Sequence, residues 1–537
     1  MIQTRWADTI VATLADAGVT TCVISPGSRS TPLVAALAKS GRLELPTIID
    51  ERAAAFYALG IARASHRPVA LVCTSGSAAA HYLPAIVEAS EAGVPLIAVT
   101  ADRPPELQHC GAAQTIDQID LYGGFVRAAF DLGRPSDAIA AVRRTIAQAV
   151  TASLGPLPGP VHINVQLVKP LEPAQAAVPA PAPLVIAPPR LAADRAAVAR
   201  LEAAIAAEPN GIVVAGAGGC DPKMLAICAR AGYPLLAEAG SGLRFATRAG
   251  VTAIDHFDFV LARGLAPAPK LIVQLGAAPV AASWPAFRDA ERWVLADRYR
   301  DPEGGAHVIT GDVELAIPAR GDSDFTRAWR DAEARAAAAV EEALAEHADS
   351  EAATIKAALA AWPGAVQLGN SLPIRVIDQV ATGGERTVIT QRGAAGIDGL
   401  IASATGAAAL APMLLVLGDV SFAHDLGSLL VARGAHHALA ILVIDNGGGR
   451  IFGGLPIAST AEAAVFARHF VTRPDLDVVA VASALGVRAV EAVTPQAVAR
   501  AVATAFADVG PTVIHAPVTP HGARAFRMTV LDRLGAH

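Results

Sequence analysis

Two residues able to hold a metal stand near the end of the chain with 26 residues between them. Asp419 follows the apolar run MLLVLG, and Asn446 follows LAILVID. A carboxylate and an amide oxygen at the ends of two strands suit a hard divalent cation, which takes oxygen donors. Such a cation would bridge to a diphosphate. Gly418 precedes Asp419, and Gly447, Gly448 and Gly449 follow Asn446. Glycines let a ligand approach the backbone and can offer a carbonyl oxygen. A second position is Glu51, in IIDERAAAFYALGIARAS. The pattern predicts a strand ending at Asp50 and a helix after it, where an acid also complements the helix dipole. A third set is arginine in polar loops. SPGSRSTPL puts Ser28 and Arg29 at a helix start, an anion-binding position. TADRPPEL puts Arg103 at a strand end before a Pro-Pro turn, and TQRGAAGIDG places Arg392 at another strand end. GNSLPIR brings Ser371 and Arg375, four apart, onto one helical face. Arginine forks match carboxylates, so four such residues point to substrates carrying several of them.

The elements that must position these groups follow one grammar. TTCVIS, VALVCT, PLIAVT and VHINV are short apolar runs separated by Ala-rich helical stretches, which predicts a parallel sheet with helices on both faces. A Pro/Ala-rich stretch from Pro170 to Pro189 reads as an extended linker. A second α/β unit runs from Leu191 to Arg320, and an Ala/Glu-rich helix from about Phe325 to His347 leads out of it. The last third, from about Ala353, repeats the strand–loop–helix order. The fold class is therefore α/β, with three doubly wound parallel-sheet domains expected at 1–175, 190–345 and 353–537. Ligands in such sheets sit outside the carboxyl ends of the strands. The GAGG of the middle unit, Gly216 to Gly219, lacks the full dinucleotide fingerprint and reads as a structural turn.

The 537 residues suffice for three domains at roughly 100–200 residues each. A net charge of -6 argues against broad nucleic-acid binding, which needs a basic footprint. Five cysteines, an odd number with no C-x-x-C, fit reduced thiols and a cytoplasmic location. The uncharged stretch from Gly399 to Gly418 has the length of a membrane span. Its Gly406, Pro412, Ser403 and Thr405 make it a buried helix followed by a strand.

Gly-Asp followed by Asn at this spacing resembles the thiamine-diphosphate fingerprint, with Val420 at the usual third glycine. The strings ISPGSRSTPL, DERAAAFYALGIAR, TSGSAAA, TADRPPEL, CGAAQTID, GNSLPIR, RGAAGIDG, GDVSFAHDL and NGGGRIF together resemble one family, the 2-succinyl-5-enolpyruvyl-6-hydroxy-3-cyclohexene-1-carboxylate synthases (MenD). The resemblance implies thiamine diphosphate and Mg²⁺ or Mn²⁺ as cofactors, with 2-oxoglutarate and isochorismate as substrates. It implies that Glu51 activates the cofactor through its aminopyrimidine, and that Asp419, Asn446 and the Gly448 carbonyl hold the metal. Ile397 would prop the cofactor, while Ile451 and Phe452 would wall the site. Ser28, Arg29, Arg103, Gln114, Ser371, Arg375 and Arg392 would bind carboxylates. A homodimer or homotetramer is implied, because first and third domains of different subunits face each other in this superfamily. An acetolactate-synthase-like enzyme or a simple 2-oxo acid decarboxylase is the alternative, though neither needs so many arginines.

Overall fold

The computed structural model describes residues 2–174, 184–219, 221–281, 283–287 and 289–535. Its chain groups into two compact units. One comprises Met1–Arg190, Gln391–Ala411 and Asp425–His437, and the other Leu191–Thr390, Pro412–His424 and Ala438–His537.

The first unit is built on one parallel sheet. Its strands are β1 (Cys22–Ile24), β2 (Val69–Cys73), β3 (Leu96–Asp102), β4 (Ala129–Asp131) and β5 (Val161–Gln166), in the order β1-β2-β3-β5-β4. The strands β2, β3 and β5 are buried throughout, which is why they read as unbroken apolar runs rather than as alternating ones. The strand expected up to Asp50 is absent. Only isolated bridges at Thr21–Glu44 and Ile24–Thr47 form there. Pro46 between them has no N–H to give a ladder, although its carbonyl accepts from Ile24 N. The helix Glu51–Ser65 does follow. It starts on Asp50, whose Oδ1 accepts from the N–H groups of Arg52 and Ala53 at 2.9 and 3.4 Å, a side-chain cap of the first turn. The helix Leu400–Ala407 packs closely against it. A Cβ at Gly60 would stand 1.9 Å from the Ser403 carbonyl oxygen, and one at Gly406 2.0 Å from that of Tyr57.

The second unit holds two parallel sheets. The strands β6 (Gly211–Ala215), β7 (Leu235–Ala237), β8 (Leu271–Leu275), β9 (Glu291–Ala296) and β10 (His307–Thr310) run in the order β10-β9-β8-β6-β7. A long helix, Asp324–Glu346, lies where the Ala/Glu pattern predicts it. The other sheet contains β11 (Ala365–Leu368), β12 (Val388–Thr390), β13 (Met413–Gly418), β14 (Ala438–Asp445), β15 (Arg488–Glu491) and β16 (Gly510–Pro517), in the order β12-β11-β13-β14-β16-β15. The expected helix-then-strand between Gly399 and Gly418 is the pair Leu400–Ala407 and β13. Among the described residues no helix is long and apolar enough to cross a membrane. The GAGG segment is a turn, with Gly219 N–H donating to the Gly216 carbonyl. Residues 175–183 of the expected linker lie outside the described residues, as does Cys220. The described cysteines Cys22, Cys73, Cys110 and Cys228 are free thiols.

Candidate active site

In the first unit the sheet order brings the loops after β1, β2 and β3 together at the carboxyl ends of the strands. Arg29 lies just before the helix Thr31–Ser40, next to its cap Ser30, and its side chain is buried. Its Nη1 donates to the Leu167 carbonyl at 2.7 Å, and its N–H to Thr74 Oγ1. Its Nε is buried with no acceptor. Arg103, at the end of β3, donates to Ser75 Oγ at 2.6 Å and to the Ala113 carbonyl at 3.1 Å. Ser75 in turn donates to the Gln114 carbonyl, and Gln114 Nε2 to the Ser75 carbonyl. So Arg29, Arg103 and Gln114 converge on the Thr74–Ser75 turn. Neither arginine makes an ion pair with a described residue. Burial and the nearby Arg103 lower the pKa of Arg29, while Asp102 opposes them. Asp102 is itself buried and held up by that burial, against hydrogen bonds from Asn164, Arg103 N–H and Gln108. A buried net of Thr100, Gln118, Asn164 and Asp102 supports the turn from below.

Glu51 opens its helix with its carboxylate 3.8 Å from His81 Nδ1. The loop carrying Arg392 and Ile397 is anchored by Glu88, a buried acid paired with Arg63, which accepts from the N–H groups of Gly393 and Ala394 at 2.9 and 2.6 Å. Nothing in the sequence pattern pointed to Glu88, which sits mid-helix some three hundred residues away.

In the second unit β13 delivers Asp419 and β14 delivers Asn446. Asp419 is buried, and its two oxygens accept from the N–H groups of Val420 (2.9 Å) and Gly448 (2.7 Å). Burial and the adjacent Asp445 push its pKa up to about 6. Asp445 is held below the usual carboxylate range, chiefly by its bond to His515. Asn446 donates from Nδ2 to Glu351 Oε1 at 2.5 Å, while its Oδ1 is buried and without a partner. Burial raises Glu351 to about 7, with Asp419 adding to the shift and the Asn446 bond opposing it. Gly448 has φ +111°, and a Cβ there would meet the Val471 carbonyl oxygen at 2.3 Å. Only glycine takes this turn. The N–H groups of Gly447, Gly448 and Gly449 donate within the protein, to Asp445, Asp419 and Val471. The amides of the glycine loop are therefore already committed within the protein.

These features fit a divalent metal. Two carboxylates crowd together, the amide oxygen lacks a donor, and a recess of about 270 Å³ opens beside Asp419 and Asp445. Among the described residues no group of three His, Cys, Asp or Glu side chains is placed to hold a metal ion by itself. The donor set on offer is one carboxylate, one amide oxygen and one backbone carbonyl, all hard ligands.

A cavity of about 1070 Å³ in the same unit is lined by Glu351, Arg375, Arg450, Ile451 and Phe452, among others. Ser371 and Arg375 do not share a helical face. Ser371 has φ +69° and caps the helix Leu372–Val380 from outside, since Pro373 fixes the helix start at Leu372. Arg375 still reaches back to it, donating to the Ser371 carbonyl at 2.7 Å.

The chain matches family models for the N-terminal TPP binding domain of thiamine pyrophosphate enzymes over residues 4–121 and for their C-terminal TPP binding domain over residues 375–516. It is 38% identical to the 2-succinyl-5-enolpyruvyl-6-hydroxy-3-cyclohexene-1-carboxylate synthase of Sorangium cellulosum, over 98% of this chain and 94% of the relative. The synthase of the same name from Geobacillus kaustophilus is 39% identical over 88% and 87%, and that of Halobacterium salinarum 35% over 99% and 98%. The chain belongs to this synthase family. Its fold is also that of the benzoylformate decarboxylase of Polynucleobacter necessarius. That match has a TM-score of 0.75 at 17% identity, covering 96% of this chain and 98% of the other. For a member of the synthase family, Glu351 is the group the sequence reading missed. It is 95 residues from Asn446, and no local pattern links the two.

Proposed function

We propose that the chain makes 2-succinyl-5-enolpyruvyl-6-hydroxy-3-cyclohexene-1-carboxylate and CO₂ from 2-oxoglutarate and isochorismate. A 1,4-addition joins the two carbon skeletons, as a step of menaquinone biosynthesis. The observation that carries this reading is a pair of buried or part-buried arginines, Arg29 and Arg103, without carboxylate partners at the strand ends of a thiamine pyrophosphate enzyme. 2-Oxoglutarate keeps one carboxylate after losing CO₂, and isochorismate brings two more.

Thiamine diphosphate, when bound, supplies the electron sink that lets a 2-oxo acid lose CO₂ and its carbonyl carbon act as a nucleophile. Asp419, Asn446 Oδ1 and the Gly448 carbonyl would hold Mg²⁺ or Mn²⁺. Gly418, Gly447 and Gly449 keep the loop slim enough for the diphosphate. Glu51 would hold a proton at N1′ of the aminopyrimidine. Ile397 would prop the cofactor, and Ile451 and Phe452 would wall the site. Ser28, Arg29, Arg103, Gln114, Ser371, Arg375 and Arg392 orient the carboxylates. On this reading the pyrimidine-binding, central and diphosphate-binding domains are 1–175, 190–345 and 353–537. The active assembly is a cytoplasmic homodimer or homotetramer.

Steady-state CO₂ release with Mg²⁺ and thiamine diphosphate tests the reading. 2-Oxoglutarate should exceed pyruvate in kcat/KM by about 10²-fold or more, because pyruvate leaves a buried guanidinium without its carboxylate. Faster turnover of pyruvate would replace the reading with the acetolactate-like alternative. Glu51→Gln should slow hydrogen–deuterium exchange at cofactor C2 by about 10²–10⁴-fold, and an unchanged rate would remove Glu51 from its role.

A further inference from the structure

Asn446 can present either end of its amide to a cation, and only the oxygen end is a ligand. An isolated asparagine does not discriminate, because oxygen and nitrogen exchange by a half-turn about the last side-chain bond. Its surroundings discriminate here. The Asn446 backbone carbonyl accepts from Arg450 Nε at 3.1 Å, which holds the main chain and leaves the side-chain amide to its own partners. Its Nδ2 donates to Glu351 Oε1 at 2.5 Å, and its Oδ1 is left as a buried acceptor with nothing to accept from. Glu351 is 1% exposed, and its second oxygen, Oε2, is likewise buried without a partner.

The fold fixes this pair through a ring of contacts. Val518 N–H donates to the Asp445 carbonyl at 2.9 Å, tying the residue before Asn446 to the segment after β16. Thr519 N–H then donates to the Asp349 carbonyl at 3.1 Å, tying that segment to the turn before Glu351. Ser350 caps the helix Glu351–Ala361, accepting from Ala353 N–H, so Glu351 leaves a rigid helix start. A Cβ at Gly522 would touch Ser350 Cα at 3.0 Å, so the start of the helix Gly522–Leu534 packs against the same turn.

We propose that Glu351 is a positioning residue. Its Oε1, accepting from Nδ2, holds the Asn446 amide by its nitrogen and so turns Oδ1 toward the cation. The inference rests on Asn446 being a metal ligand. A glutamine at 351 would accept from Nδ2 or donate to Oδ1 equally well, and the orientation would no longer be fixed.

The test is the Mg²⁺ concentration that half-saturates thiamine diphosphate binding, read by calorimetry on the full chain without substrate. Loss of a partner that orients a metal ligand typically weakens metal affinity by about 10–100-fold. Glu351→Gln should raise the Mg²⁺ requirement by about that factor, as should Asn446→Ala. The double variant should be no worse than Asn446→Ala, because Glu351 acts only through that amide. Additive losses would overturn the positioning role and leave Glu351 as a remote charge. A normal Mg²⁺ requirement in Glu351→Gln beside a raised one in Asn446→Ala would overturn it too. A normal requirement in Asn446→Ala would overturn the ligand assignment beneath both. Should Glu351→Gln fail to fold, Glu351→Asp keeps the charge but shortens the reach, and it should show the same raised requirement.

Discussion

Arg244 and Arg29 are both buried arginines, yet their surroundings differ in kind. Arg244, in the second unit, is wholly buried. It donates to the carbonyls of Ala237, Asp255, Asp378 and Ala381, and lies 3.4 Å from the Asp255 carboxylate and 3.7 Å from that of Asp378. Arg248 joins it, and together they hold Asp255 below the usual carboxylate range despite its burial. Every donor of Arg244 is spent on the fold. Arg29 spends one guanidinium donor on a carbonyl and has no carboxylate within ion-pair distance among the described residues, though Asp102 lies near enough to be felt. Arg103 beside it is held by a hydroxyl and a carbonyl. The metal loop shows the opposite sign, with Asp419 and Asp445 crowded together and one amide oxygen unused. On the proposed function the fold cancels its structural charges internally and leaves Arg29, Arg103 and Asp419 for ligands to meet. A buried charge is expensive without a partner, so an unpaired one records what binds there.

The comparison can be broken at several points. Asp419→Ala removes the anionic ligand of the metal loop. It should lower thiamine diphosphate affinity in the presence of Mg²⁺ by about 100-fold or more, at or beyond the roughly 10–100-fold that losing a mere partner of a metal ligand costs. Calorimetry measures this, and near-normal affinity would place the metal elsewhere. Arg244→Ala strands Asp378 in the interior and leaves Asp255 with Arg248 alone. The expected cost is about 3–5 kcal/mol of stability, read as a large fall in thermal midpoint with or without ligand. Arg29→Ala or Arg103→Ala should do the reverse. Thermal stability should change little, while kcat/KM for 2-oxoglutarate or isochorismate falls about 30-fold or more. Kinetics varying each substrate in turn separates the two.

A buried group kept neutral sharpens the contrast. His162 on β5 bonds Thr100 Oγ1 at 2.8 Å and packs edge-on against Tyr122, and burial lowers its pKa from 6.5 to about 4. The unfolded chain takes up a proton near pH 6.5 that the folded chain refuses until about pH 4. Its contribution is therefore present above pH 6.5 and lost as pH falls through that window. By pH 5 the loss is about 2 kcal/mol. Denaturation across pH 5–7.5 should show this slope, and His162→Gln should flatten it. The smallest effect is at the surface. Arg533 pairs with Glu342 and Glu346 in largely solvent-exposed contacts, so Arg533→Ala should cost only about 0–1 kcal/mol.

Much of this was legible in the sequence because the signals are local. An apolar run ending in Gly-Asp or Asp-Asn marks a strand end, and β13 and β14 end where those runs do. The arginine loops likewise fall at strand ends or helix starts. What escaped the sequence is non-local. Arg29 and Arg244 look alike in the chain, because the partners that separate them are brought by distant segments: Leu167 for one, Asp378 and Ala381 for the other. Glu351 has the same character, reaching Asn446 only through the packing of three segments. The expected strand to Asp50 failed through one local rule weighed too lightly, the missing N–H of Pro46. Ser371 left the expected helical face because Pro373 fixes where that helix can start.

On the proposed function, Arg29 and Arg103 serve two polycarboxylate substrates in one coupling reaction. Incubating the protein with thiamine diphosphate, Mg²⁺, 2-oxoglutarate and isochorismate, and identifying the product by mass, tests it most directly. One product is expected, joining isochorismate to the four carbons left after 2-oxoglutarate loses CO₂. Release of CO₂ with isochorismate recovered unchanged would contradict it.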